Sequence, residues 1–288
     1  MRGGTSRLQG DCQPPGRAIW RIAAGSAPTL APVTSTAPAL ERAAPAIEQA
    51  AKTAVRSAHE ETLPTRVALA RGRGASAIAA LGLAGFLAVF ALVRTHRSEA
   101  FDLALTMKLQ RRRNAVLQRV MAAASWLGFP PQSRIVPPAI IGTLFALRFP
   151  IEARFQLLAW CTGLVSSGLK AIMRRPRPVA GTDLRVVAAP LGGSSFPSGH
   201  VITYVGTYGF LAYLAHTMIR PRAARRAIVG TLLALLALVG PSRIHQGHHW
   251  PTDVSASYFL GTSYLIGLMA VYRRAKERAR AARAGSQA

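Results

Sequence analysis

Acid is what this chain is short of. Asp and Glu number 11 among 288 residues, against 36 Lys and Arg, for a net charge of +25. Between residues 135 and 272 the carboxylates are Glu152, Asp183 and Asp253 alone. So poor a stretch offers little to a two-metal hydrolytic centre, and it cannot neutralise its own cations internally. Cysteine is equally scarce. Cys12 lies in a polar segment and Cys161 in an apolar run, which argues against a disulfide framework. There is no internal repeat, no G-x-S-x-G elbow around Ser198, and no nucleic-acid recognition module beside the basic runs. No secretory signal is read at the front, because the first apolar run begins too late for one.

Apolar sequence is what the chain has in quantity: half the residues are hydrophobic and the mean hydropathy is positive. Residues 1–74 are rich in Ala, Pro, Ser and Arg and read as a disordered basic tail, with a short helix over Ala44 to His59. Ala75 to Val93 is uncharged and long enough to cross a hydrocarbon core of ~30 Å as a helix. Residues 94–134 are basic with patchy helical periodicity, which predicts one or two interfacial helices. Ile135 to Leu147, Phe155 to Leu169, Val201 to Ile219, Ala227 to Ser242 and Val254 to Tyr272 supply five further runs, and residues 273–288 form a basic tail. The expectation is an all-α, polytopic membrane bundle of about six transmembrane helices over 75–272. The positive-inside rule puts both termini and the RPRAARR loop in the cytoplasm. The connections Lys170–Gly199 and Arg243–Trp250 then share the opposite face; the basic 94–134 segment falls there too, against the rule.

Three polar clusters border these runs: KAIMRRPRP (170–178), FPSGH (196–200) and SRIHQGHHWPTD (242–253). Cations beside a bilayer call for an anionic partner, and phosphate matches guanidinium forks bidentately. A phosphate so held still needs a nucleophile and a proton donor, roles that His249 and His200 can fill. Pro251 suits the first position of a helix, so Asp253 falls in its first turn, where it can accept the Nδ1 proton of His249 and leave Nε2 free. Ser198 and the Gly199 N–H can donate to phosphate oxygens at a helix start.

Plainer readings stand beside these. His245, His248 and His249 could ligate a metal together with His200 and Asp253. Arg174 and Arg175 read as rim charges, His216 as a helix-end polar residue, His59 and His96 as solvated surface. Trp126, Trp160 and Trp250 read as interfacial anchors, and the basic tails as topology signals with lipid attraction second.

The spacings K-x6-R-P (Lys170, Arg177, Pro178), PSGH (Pro197 to His200) and S-R-x5-H-x3-D (Ser242, Arg243, His249, Asp253) occur in order. Over residues 100–272 the chain resembles the type 2 phosphatidic acid phosphatases, which share their pocket with vanadium haloperoxidases and bacterial acid phosphatases. The resemblance implies a catalytic set of His249 as phosphohistidine nucleophile, Asp253 as its orienter and His200 as acid and then base. It implies phosphate binding by Lys170, Arg177, Arg243, Ser198 and Gly199, with no metal and no organic cofactor. It leaves His245 and His248 without a role. The function expected is hydrolysis of a terminal lipid phosphate or polyprenyl diphosphate at a bacterial inner membrane, on the non-cytoplasmic face. The partners are the lipid substrate and the bilayer, with no nucleic acid. A phosphotransferase using the same intermediate is the alternative, and a non-catalytic lipid-binding protein a more distant one.

Overall fold

The computed structural model describes residues 65–111, 114–179, 184, 186 and 192–285. The helix expected over Ala44 to His59 and most of the basic tail lie outside the described residues. Among those described, every regular element is a helix: α1 (Thr65–Arg94), α2 (Glu99–Gln110), α3 (Ala115–Trp126), α4 (Gln132–Ala146), α5 (Pro150–Trp160), α6 (Thr162–Met173), α7 (Gly199–Met218), α8 (Arg222–His245) and α9 (Pro251–Gly285).

Among the described residues three helical stretches are long and apolar enough to cross a membrane: Arg73–Arg94, Arg222–His245 and Pro251–Ala282. They correspond to the first, fifth and sixth runs of the sequence reading. The second and third runs sit on shorter helices of 15, 11 and 12 residues, and the fourth on α7. The count of six is therefore not established. α1 begins ten residues before the expected boundary, and α9 continues as helix through the basic segment to Gly285.

α7 differs from the other long helices because protein surrounds it. Val201, Tyr204, Val205, Phe210 and Leu214 are all buried, so it can carry Thr207 and two tyrosines in its interior. α5–α6 runs antiparallel to it: Gln156 Nε2 donates to the Thr207 carbonyl at 2.9 Å. Gly206 permits this approach. A β-carbon there would lie against the Ala159 carbonyl and 2.6 Å from Thr162 Oγ1, far inside van der Waals contact. α1 packs antiparallel against α9, where Ser263 Oγ donates to the Ala79 carbonyl and Gly85 faces the Phe259 ring.

The segment expected to lie at the interface does form two helices, α2 and α3, but they carry a buried polar stripe. Asp102, Thr106, Gln110 and Ser125 are each at most 4 % exposed. The stripe faces the end of α8: Gln110 Nε2 donates to the Ile244 carbonyl at 3.3 Å, and the Ser125 and Ser242 hydroxyls are 2.6 Å apart. Helix ends therefore converge at one pole of the bundle. The C-termini of α6 and α8 and the N-termini of α7 and α9 meet there, with α2 and α3 wrapped around them.

Candidate active site

Local chemistry sets each helix end. α6 stops where Arg174 adopts a left-handed conformation, φ +48°. Beyond it Arg175 and Arg177 each precede a proline, which favours extended backbone, so the two side chains leave on the same side while Arg174 stays exposed. α7 begins at Gly199, directly after Ser198. α8 ends in a short loop with Gly247 at φ +73°, and α9 starts at Pro251.

These ends bring the sequence-predicted residues together. His249 is 2 % exposed, and its Nε2 lies 3.3 Å from Arg177 Nη1. Arg177 also donates to the carbonyls of His248 and Ser194, at 2.8 and 3.2 Å. Lys170 Nζ reaches the Ser194 carbonyl at 3.1 Å. Arg243 is completely buried; Nη1 donates to Gln246 Oε1 at 3.0 Å, Nη2 meets His248 Nδ1, and the guanidinium lies 4.8 Å from the centre of the Phe129 ring. His200 packs edge-on against the same ring at 4.8 Å. Among the described residues no carboxylate lies within salt-bridge distance of Lys170, Arg177 or Arg243. Arg177 Nε, Arg243 Nε, Ser198 Oγ, His200 Nε2 and His248 Nε2 are buried without a hydrogen-bond partner. Native interiors rarely leave such groups unpaired, and together they outline a seat for an anion. A cleft of about 600 Å³ opens beside it, lined by Lys170, Arg174, Arg175 and Gly192 to Ser194.

The charge around His249 fixes its protonation. Burial first, then the Arg243, Arg177 and Lys170 cations, hold its imidazole well below the ordinary range, so the ring is neutral at neutral pH and keeps a lone pair. Burial with Arg243 and Arg177 likewise pushes His248 down to about 4. Arg243 can only donate, so His248 Nδ1 is an acceptor and its proton sits on Nε2.

Three features differ from the sequence reading. The first concerns Nδ1 of His249, which bonds to the Ser195 carbonyl at 2.8 Å, with Asp253 Oδ2 further off at 3.6 Å. The tautomer is the one expected, but a main-chain oxygen holds it. The second is Arg175, which is no rim charge. Its guanidinium bridges Asp253 and Asp102, each at 2.6 Å. Asp102 is a buried carboxylate supplied from α2, upstream of the acid-poor stretch. The third is Gly128, where a β-carbon would sit 2.7 Å from His200 Nε2 and closer still to the ring carbon, so only glycine leaves room for that ring. His245 is buried against α2, its Nδ1 3.3 Å from the Leu109 carbonyl. Trp250 anchors to protein through a 3.0 Å bond from Nε1 to the Pro176 carbonyl. Period-two alternation through Arg-Pro-Arg-Pro was the available signal for Arg175. Nothing local pointed to Asp102 or to the Ser195 carbonyl.

Fold and site together define a membrane-embedded α-helical protein built around a buried, cation-rich anion pocket. Residues 154–277 match the model of the PAP2 superfamily. Phosphatidylglycerophosphatase B of Bacillus subtilis (strain 168) is 29 % identical over 183 residues, covering 61 % of this chain and 85 % of that protein. The crystal structure of a transmembrane PAP2-type phosphatidylglycerolphosphate phosphatase from Bacillus subtilis superposes with a TM-score of 0.60 at 23 % identity. That match covers 68 % of this chain and 96 % of the other. Its fold is thus the fold of this bundle.

Proposed function

We propose that this integral membrane enzyme removes a terminal phosphate from a lipid through a phosphohistidine on His249. The observation that carries the reading is the neutral, buried imidazole among three cations that, among the described residues, lack a carboxylate in salt-bridge distance. The match to the PAP2 superfamily model and the similarity to a phosphatidylglycerophosphatase support the phosphatase class, and phosphatidylglycerol phosphate is the first lipid to test.

In the reaction, Lys170, Arg177 and Arg243 take the non-bridging oxygens, joined by Ser198 Oγ and the Gly199 N–H. The Nε2 lone pair of His249 attacks phosphorus, and the bond to the leaving oxygen breaks. His200 delivers a proton to that oxygen. The positive charge left on His249 is stabilised through Nδ1–H, donated to the Ser195 carbonyl with Asp253 behind it. Water then attacks the phosphohistidine; His200 accepts its proton, phosphate leaves, and His249 returns to neutrality. Cations placed where charge develops supply much of the rate in such chemistry. By the distribution of Lys and Arg, the pole carrying the site faces away from the cytoplasm.

The test is phosphate release by purified protein from phosphatidylglycerol phosphate, phosphatidic acid, polyprenyl diphosphate and lipid A phosphates. Rapid quench with labelled substrate should trap a base-stable, acid-labile phosphoryl group on His249. Turnover without labelled protein, under conditions that preserve phosphoramidates, counts against the covalent route. Product analysis with added alcohol acceptors separates hydrolysis from transfer.

A further inference from the structure

Resting on the reading of His249 as nucleophile, we propose that Arg175 and Asp102 are positioning residues that hold its Nδ1 edge. Asp253 lies 3.6 Å from His249 Nδ1, but its hydrogen bonds go elsewhere. Its Oδ1 accepts from Arg175 Nη1 at 2.6 Å, and its Oδ2 from the Trp250 N–H at 2.9 Å. The Ser195 carbonyl is the nearer acceptor for His249. Arg175 is attached to both.

Its main chain forms one arm. The Arg175 carbonyl accepts the Ser195 N–H at 2.8 Å, and the Arg175 N–H donates to Ser194 Oγ at 3.0 Å. These bonds hold residues 194 and 195, and the carbonyl that receives His249 Nδ1–H is that of Ser195. Its guanidinium forms the other arm. Nη1 donates to Asp253 and, at 2.8 Å, to Thr252 Oγ1; Nη2 donates to Asp102 Oδ2. Asp102 closes the circuit on α9. Its Oδ1 accepts the Thr252 N–H at 2.9 Å, and its Oδ2 accepts the Thr252 hydroxyl at 2.7 Å. Asp102 and Asp253 are at most 1 % exposed. A buried guanidinium satisfied by two carboxylates in this way has little freedom to move.

The arrangement divides labour among the arginines. Arg177 and Arg243 keep donors unpaired in the pocket, whereas Arg175 points both terminal nitrogens away from it, into carboxylates. Its contribution reaches the reaction through the orientation of His249. Loss of the Arg175 guanidinium keeps the main-chain bonds of residue 175 but unties them from Asp253, Thr252 and Asp102, so the backbone that holds Ser195 is no longer anchored to α9 and the imidazole loses its fixed approach to phosphorus while the cations of the pocket remain.

Full-length Arg175→Gln, Arg175→Lys and Asp102→Asn proteins, with His249→Ala as control, test this through kcat, KM and inhibition by inorganic phosphate. Misplacing a reacting group costs about 100-fold, so Arg175→Gln should lose about that much in kcat. KM and the phosphate inhibition constant should stay within about threefold, as expected when binding is untouched. Arg175→Lys should regain part of the loss. Asp102→Asn, which touches no pocket residue directly, should lose about 10-fold in kcat by the same reasoning. Parent-like kcat in both Arg175→Gln and Asp102→Asn, or a loss confined to KM and phosphate affinity, overturns the proposal. Should Arg175→Gln fail to fold, Asp102→Asn alone decides. An active His249→Ala protein would instead sink the reading of the site itself, so the two failures are distinguishable.

Discussion

The two poles of the bundle treat charge in opposite ways. At one pole Glu152 is buried on α5 and fully answered: Tyr272 OH donates to Oε1 at 2.9 Å and Lys276 Nζ at 2.5 Å. An acid, a base and a hydroxyl close on one another and leave nothing for a ligand. At the other pole Lys170, Arg177 and Arg243 gather with no carboxylate in salt-bridge distance among the described residues, and buried donors there lack a described partner. Burying an unanswered cation costs several kcal/mol, so the second arrangement persists because surrounding packing enforces it. Charge completion marks a structural pole, and charge deficit marks the reactive one.

Substitutions should separate the poles by what they damage. The largest effect belongs to His249→Ala, which should lower kcat by about four orders of magnitude or more, since removing a nucleophile removes the chemical step. Near-parent turnover in the folded variant would erase the distinction. His200→Ala should lose about 10²- to 10⁴-fold with poor leaving groups and little with activated aryl phosphates, as loss of a general acid does. A uniform loss across leaving groups would assign His200 another task. Gly128→Ala should reproduce that leaving-group pattern in weaker form, because the added methyl displaces the His200 ring.

The third expectation concerns pH. The acid limb of kcat/KM reports free-enzyme ionisations, and His249 must be neutral to attack. Burial and the cations lower its pKa, so the limb should lie below the ordinary imidazole value of about 6.5. Arg177→Gln removes a charge that disfavours the imidazolium, so the limb should move to higher pH. A downward or absent shift would show that the cations do not govern this histidine. The smallest effect on catalysis comes from the closed pole. Glu152→Gln should leave kcat unchanged while costing about 2 kcal/mol of stability, the scale of a broken buried charge pair that is partly open to water. Thermal unfolding and turnover measured on the same preparation check it.

Legibility in the sequence followed the range of the interactions. The all-helical class and the long apolar runs at 75–93, 227–242 and 254–272 were readable because hydropathy is a local property. The span count was not, since α7 is buried by protein and the flanking runs break into short helices. That Lys170, Arg177, Arg243, His200 and His249 lie together was readable because each cluster is contiguous. The hold on His249 was not. Its acceptor is a backbone carbonyl, which no residue type announces, and Asp102 lies 73 residues from Arg175 in the chain. Gly128 escaped notice for the same reason, because its importance lies in what a distant imidazole would strike.

α9 runs unbroken for 35 residues, so at 1.5 Å per residue it is a rod of about 52 Å. A hydrocarbon slab is about 30 Å thick, and even a tilted rod of this length must stand proud of it. The protruding end is the one bearing Arg273, Arg274, Arg278 and Arg280. Asp253 occupies the opposite tip. The headgroup layer on one side of the bilayer and the carboxylate beside His249 on the other are thereby joined by one stiff shaft, and axial sliding of either end is sliding of both.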